Sequence, residues 1–203
     1  MILIVSCLLV LVYVLLIYAY TRGWRSQPDL VLHDRDDVFI SVIVPARNEQ
    51  DNIGRCIDAI LAQQYPADQF EIIVVDDHSE DDTAAVVNRY AGSNVRCINL
   101  AEHIAPGKVN AYKKAALAAG IAVSRGALIV TTDADCIAPA TWLSSIVSIY
   151  RQENAVMIVA PVIYSADNSV LQIFQLIDFM SMQGITAASR VLNLGNMCNG
   201  ANL

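Results

Sequence analysis

Apolar positions follow two regimes along the chain. From Ile2 to Tyr20 nearly every residue is Ile, Leu, Val or Tyr, and none of the first twenty is charged. A helix of about 19 such residues, rising ~1.5 Å each, covers a bilayer's hydrocarbon core. Nothing basic precedes it, and Tyr18-Ala19-Tyr20 is a poor cleavage site, so it reads as a retained anchor rather than a signal peptide. Arg22, Trp24 and Arg25 follow, which places that flank at the cytoplasmic interface. The expected organisation is a transmembrane anchor over 1–21, a linker containing Pro28 over 22–38, and one domain over 39–203.

In that domain the pattern changes to short β-branched runs separated by helical stretches. Phe39–Val44, Glu71–Val75 and Ala127–Thr132 are apolar without alternation, as expected of parallel strands buried on both faces, and Val95–Asn99 is a shorter candidate. Asp51–Gln64, Asp81–Ala91, Lys108–Ser124 and Thr141–Glu153 read as helices. The alternation implies an α/β doubly wound sheet. Ala155–Tyr164 reads as a further strand, placed at an edge by Pro161, and Ser169–Val191 as a very apolar helix suited to a core or to a membrane interface.

Composition narrows the function. The 203 residues hold 13 Lys and Arg against 20 Asp and Glu, a net charge of −7, which opposes binding to a phosphate backbone and argues against nucleic acid as a partner. With 55% hydrophobic and 16% charged residues, the chain suits one membrane segment plus one domain rather than a disordered tail or a polytopic bundle. The five cysteines and three histidines are dispersed, without zinc-ligand spacing, and read as reduced thiols and isolated imidazoles.

The chemistry lies where the strands end. Pro45, Arg47 and Glu49 follow the first run, Asp76 and Asp77 the second, and Asp133 and Asp135 the Ala127–Thr132 run. Ligands of open α/β sheets bind outside the carboxyl ends of the strands. Acids gathered there repel one another unless a cation offsets them, and carboxylates suit Mg²⁺ or Mn²⁺ completed by substrate phosphates and water. Asp133 and Asp135 reach one ion if the chain turns between them. Ser79 or Asp81 is expected to cap the next helix, and Lys108, at another helix start, suits either a phosphate or plain solvent. Neither a dinucleotide fingerprint nor a Walker loop is found.

These residues resemble the inverting glycosyltransferases of family two, with the GT-A nucleotide-sugar fold. The resemblance runs from Ser41 onward through Ser41-Val-Ile-Val-Pro-Ala-Arg-Asn-Glu49, Val75-Asp-Asp-His-Ser-Glu-Asp-Asp-Thr83, Gly107-Lys108 with Ala115-Ala-Leu-Ala-Ala-Gly120, Thr132-Asp-Ala-Asp135 and Cys198-Asn-Gly-Ala-Asn202. It implies that Pro45, Arg47 and Glu49 line the nucleotide pocket, that Asp77 meets the base, and that Asp76 supports its loop. It implies further that Lys108 lies near the nucleotide, Asp133 near the ribose and metal, and Asp135 on the metal, with Asn199, Gly200 and Asn202 towards the sugar and acceptor. The implied partners are a nucleotide-sugar donor, a saccharide or lipid-linked acceptor and a membrane.

The sequence departs from the family at three points. After Asp135 the only acids are Glu153, Asp167 and Asp178, none in a motif suited to deprotonating an acceptor; no Gln-x-x-Arg-Trp is found; and position 118 is Ala where Asn is frequent. The expectation is a partial catalytic domain whose base lies beyond Leu203, binding donor without transferring sugar. Rival readings are a nucleotidyltransferase, a receiver-like signalling domain with Mg²⁺ at Asp76 and Asp77, and a non-catalytic nucleotide-binding protein.

Overall fold

The computed structural model describes residues 2–27, 29–32, 37–92, 94–102, 111–165 and 169–192. They fall into two compact units, one within residues 1–29 and 161–199 and the other within 30–160.

In the second unit the strands β1 (Ile40–Ala46), β2 (Phe70–Asp76), β3 (Val95–Asn99) and β4 (Leu128–Thr131) form one sheet in the order β3-β2-β1-β4, every pair parallel. Helices α2 (Ile53–Leu61), α3 (Thr83–Asn88), α4 (Tyr112–Val123) and α5 (Trp142–Glu153) alternate with the strands. The α/β doubly wound architecture thus matches the pattern of apolar runs.

Both sheet faces are covered, which is why the runs do not alternate in polarity. Ile40, Val42 and Val44 of β1 and Ile72 and Val74 of β2 pack with Ile53, Ile57 and Ile60 of α2 and Leu143, Ile146 and Val147 of α5. Ile43, Ile73 and Val75 point the other way, against Ala116 and its neighbours on α4. Gly120 lets α4 approach that face closely: a Cβ there would stand 2.6 Å from Ile43 Cγ2.

Pro45 lies within a central strand, an unusual place for a residue without an N–H. Ile43 O accepts Thr132 N–H while Ala46 O accepts Asp77 N–H, so odd positions of β1 face β4. The β1–β4 ladder has ended at Ile43 and Thr131, so Pro45 breaks no rung.

At the amino edge of the sheet a buried acid ties three elements together. Glu71, 1% exposed, accepts hydrogen bonds from Ser41 Oγ (2.7 Å), Arg125 N–H (2.9 Å) and Arg96 Nη2 (2.9 Å). Ser41 Oγ also accepts Gly126 N–H at 2.8 Å. A Cβ on Gly126 would stand 2.4 Å from Ser41 N, so only glycine fits this entry to β4. Burial by itself raises the Glu71 pKa, but the bonds from Ser41 and Arg125 and the charge of Arg96 outweigh it and hold it below the usual value.

Several elements differ from the sequence expectation. Ala155–Tyr164 forms no strand: residues 155–160 run beside β4 across a groove of about 210 Å³, lined by Leu128, Val130, Ile146 and Met157, and Pro161 has no N–H for a ladder. Helix α3 is shorter than Asp81–Ala91, because Asp81 and Asp82 are engaged across a loop and Arg89 and Tyr90 donate three residues back, to Val86 O and Val87 O.

In the first unit α1 (Ile2–Arg25) continues past the expected boundary at residue 21. Among the described residues it is the one helix long and apolar enough to cross a membrane, with a mean hydropathy of 3.0. Helix α6 (Val170–Leu192) meets it where Gly23 abuts Ala188, and Gln27 Nε2 donates to Ala187 O at 2.9 Å. Val170, Phe174 and Ile177 of α6 are exposed, so the helix is not the core element its composition suggests.

Because the folded-state pKa of Glu71 is depressed, its contribution to stability is complete above the ordinary carboxyl value of about 4.3 and is lost as pH falls through the lower folded value. Glu71→Gln is expected to destabilise the chain by about 1–3 kcal/mol at pH 7, with the gap from wild type closing below about pH 4. Denaturant unfolding of both proteins across pH measures this; a gap that stays constant with pH refutes it.

Candidate nucleotide and metal site

Parallel pairing sends all four strand ends to one edge, and the reversal of strand order at β1 opens a crevice between β1 and β4. At that edge stand Pro45 among the last residues of β1, Arg47 and Glu49 after it, Asp76 and Asp77 at the end of β2, and Asp133 and Asp135 after β4. Lys108, Asn199, Gly200 and Asn202 lie outside the described residues.

The loops after β1 and β2 are bonded to each other rather than to solvent. Asn48 N–H donates to Ser79 Oγ (3.0 Å), Glu80 N–H to Asn48 Oδ1 (2.8 Å) and Glu49 N–H to Thr83 Oγ1 (2.8 Å). Gln50 N–H donates to Asp81 Oδ2 (3.1 Å), and Asp82 N–H to Gln50 Oε1 (3.0 Å). Asp81 also accepts Thr83 N–H, and these bonds hold its pKa down against its own slight desolvation; the cap expected at Ser79 or Asp81 falls instead at Asp82, whose side chain makes no capping bond. Asn48 and His78 both take φ of +55°, each turning its chain sharply just beyond its strand.

Within this frame the acids differ in environment. Asp76 and Asp77 are both buried. Asp76 Oδ1 accepts Ser79 N–H at 3.2 Å, bracing the loop, and Asp77 Oδ1 lies 2.9 Å from His78 Nδ1. Glu49 accepts Asn52 Nδ2 at 2.9 Å, which ties its carboxylate to the start of α2. Arg47 is placed over the ring of Tyr112, 5.8 Å from its centroid, and the His78 ring meets the same tyrosine edge-on at 5.7 Å.

The chain does turn after β4. Cys136 N–H donates to Asp133 O at 3.1 Å, closing a turn over Asp133–Cys136 just beyond β4. Asp133 is paired with Lys113 Nζ at 2.6 Å, whereas among the described residues Asp135 has only the weak contact of the Cys136 thiol at 3.8 Å. Cys56, against Asp133 O at 3.7 Å, registers the local charge: burial, then Cys136, Asp135, Asp133 and Glu49, push its thiol up to about 12. Among the described residues no three His, Cys, Asp or Glu side chains gather into a group that could hold a metal ion.

Sequence reasoning did not single out His78, Tyr112 or Lys113. Lys113 meets Asp133 only through the fold, across 20 residues, and no local pattern announces it. His78 sat in plain view inside the acidic motif, between Asp77 and Ser79.

Comparison with known proteins places the fold and the family. "Glycosyltransferase AglE" of Haloferax volcanii is 34% identical over 110 residues, covering 54% of this chain and 34% of that protein. A "Dolichyl-phosphate beta-glucosyltransferase" of Dictyostelium discoideum is 36% identical over 110 residues, 49% of this chain and 32% of that protein. The chain therefore spans about a third of the length of these curated relatives. Among solved structures, the mannosyltransferase PcManGT of Pyrobaculum calidifontis, in complex with GDP-Man and Mn²⁺, superposes with a TM-score of 0.55 at 29% identity, over 66% of this chain and 39% of that one. S. aureus TarS 1-349 shares the fold, with a TM-score of 0.50 at 22% identity over 64% of this chain and 38% of that one. The family description "Glycosyl transferase family 2" matches residues 41–199. With that match covering most of its length, the chain belongs to glycosyl transferase family 2.

Proposed function

We propose that this chain binds a nucleotide-sugar donor along the carboxyl edge of its sheet, as part of an enzyme that transfers the sugar, with inversion, to an acceptor hydroxyl at the cytoplasmic face of a membrane. The observation behind this reading is the convergence of three acid-tipped strand ends on one crevice, in a fold shared with a mannosyltransferase that holds GDP-Man and Mn²⁺.

The donor set fits Mg²⁺ or Mn²⁺ whose coordination shell is finished by substrate. Two carboxylates on one turn, with no third His, Cys, Asp or Glu grouped with them among the described residues, match ions that keep water and phosphate in their shell. Asp135 would be the principal ligand, with Asp133 joining it when Lys113 turns to the diphosphate. Bound there, the ion would offset the negative charge that develops on the leaving diphosphate.

The chain's own groups complete the reading. Asp77 accepts a donor N–H of the base, and Asp76, through Ser79, keeps that loop in place. Pro45, Arg47 and Glu49 line the nucleotide, with Arg47 held by the Tyr112 face. Lys108 and Lys113 supply positive charge for the phosphates. Asn199, Gly200 and Asn202 lie towards the sugar and acceptor. The acceptor is a saccharide or a lipid-linked molecule; the lipid option draws support from the dolichyl-phosphate named for the Dictyostelium relative. Helix α1 is the anchor, and Arg22 and Arg25 at its end set the cytoplasmic orientation.

Titration calorimetry of UDP and GDP, with and without Mn²⁺, tests the site. Asp135→Ala is expected to reduce metal-dependent affinity by at least the roughly tenfold seen when even an outer-shell partner of a metal is lost. Unchanged metal-dependent affinity contradicts the metal assignment. Asp77→Ala is expected to weaken the nucleoside as well as the diphosphate, because a contact to the base needs neither metal nor phosphate.

Topology is tested separately. A reporter that works only in the cytoplasm, fused after Leu203, is expected to be active; activity only from an exported reporter overturns the orientation.

A further inference from the structure

The environment of Asp77 narrows the donor further. Its backbone is fixed by the bond from Asp77 N–H to Ala46 O at 2.8 Å, and its side chain is 9% exposed, so the carboxylate has little freedom. Oδ1 lies 2.9 Å from His78 Nδ1. An ionised carboxylate offers only acceptors, so the shared proton sits on Nδ1 and the imidazole is the donor. Among the described residues Oδ2 has no partner.

His78 takes φ of +55°, a conformation that glycine adopts freely and in which histidine and asparagine are both enriched, so the backbone angle alone does not choose among the three. The imidazole is nonetheless held, edge-on to Tyr112 and with Nε2 buried and unpaired among the described residues. A ring held there with one nitrogen unpaired points to what the other nitrogen does, which is to occupy Asp77 Oδ1.

We propose that His78 is a specificity-determining residue: by holding one oxygen of Asp77 it leaves a single acceptor for the base, which selects uracil over guanine. The proposal rests on the reading of Asp77 as the base contact. Guanine presents two adjacent donors, N1–H and N2–H, on one edge, and a carboxylate with both oxygens free takes them as a pair. Uracil presents one donor, N3–H, between two carbonyl oxygens, and one free carboxylate oxygen suffices. His78 therefore acts through Asp77 and touches no reacting atom.

The test is titration calorimetry of the full 203-residue chain in lipid nanodiscs, with UDP and GDP in the presence of Mn²⁺. Wild type is expected to bind UDP about tenfold more tightly than GDP, the scale of one lost paired hydrogen bond to a base. His78→Gly fits the backbone and frees Oδ1, so GDP should gain and the ratio should fall by about tenfold. His78→Asn also fits the backbone, keeps an N–H donor beside Asp77, and should retain the preference for UDP. A purely backbone role for residue 78 predicts the same ratio in all three proteins and would overturn the proposal, as would a wild type that prefers GDP or neither. The wild-type ratio stands as a test even if a variant fails to fold. Asp77→Ala separates the layers: a base preference that survives it refutes the Asp77 contact itself, whereas its loss alongside an unaltered His78→Gly ratio refutes only the role of His78.

Discussion

Parallel pairing around β1 is the constraint on which the site depends. Because β2 and β4 both pair with β1 in the same direction, the chain must cross back over the sheet after each strand, and every carboxyl end emerges at one edge. Fully buried apolar side chains such as Val42, Ile43 and Val44 hold that pairing from both faces. At the amino edge, Glu71 accepts from Ser41 of β1 and from Arg125 before β4, while Ser41 in turn accepts Gly126 N–H, which secures the register. The two edges differ: at one a single buried acid, bonded from both sides, holds the fold, while Asp76, Asp77, Asp133 and Asp135 stand at the other.

Rigidity at the carboxyl edge comes from side chains rather than from more sheet. Five hydrogen bonds join the loops after β1 and β2, and each satisfies a backbone N–H that would otherwise need water. Loops fixed in this way hold Asp76 and Asp77 in place, and a site already in position loses less to reorganisation when a ligand binds. The Asp133–Cys136 turn is braced differently, by Cys56 beneath it and Lys113 across it. Both partners of the Lys113–Asp133 pair are partly exposed, so the pair itself is worth little and can open when phosphate competes.

The strands and the acid positions were legible in the sequence because both follow from local pattern. Runs such as Glu71–Val75 must be buried on both faces, and Asp76, Asp77, Asp133 and Asp135 follow such runs directly. Helix ends were less legible: α3 begins at Thr83 rather than Asp81 because Asp81 and Asp82 bond to Gln50 of another loop, a partner no local pattern reveals. Ala155–Tyr164 has strand composition but no ladder, since composition does not supply a neighbour. Lys113 and Tyr112 join the site only through the placement of α4 on the sheet. His78 was readable as a residue, but its role depends on a backbone angle and a bond that only the folded loop defines.

The most direct test of the carboxyl edge as a nucleotide site is a crystal structure of the full chain with UDP and Mn²⁺, using anomalous scattering to locate the metal. The predicted result is a manganese ion coordinated by Asp135 and by the diphosphate, with the base against Asp77. Nucleotide lodged elsewhere, such as in the groove beside β4, or manganese bound away from the Asp133–Cys136 turn, would contradict it.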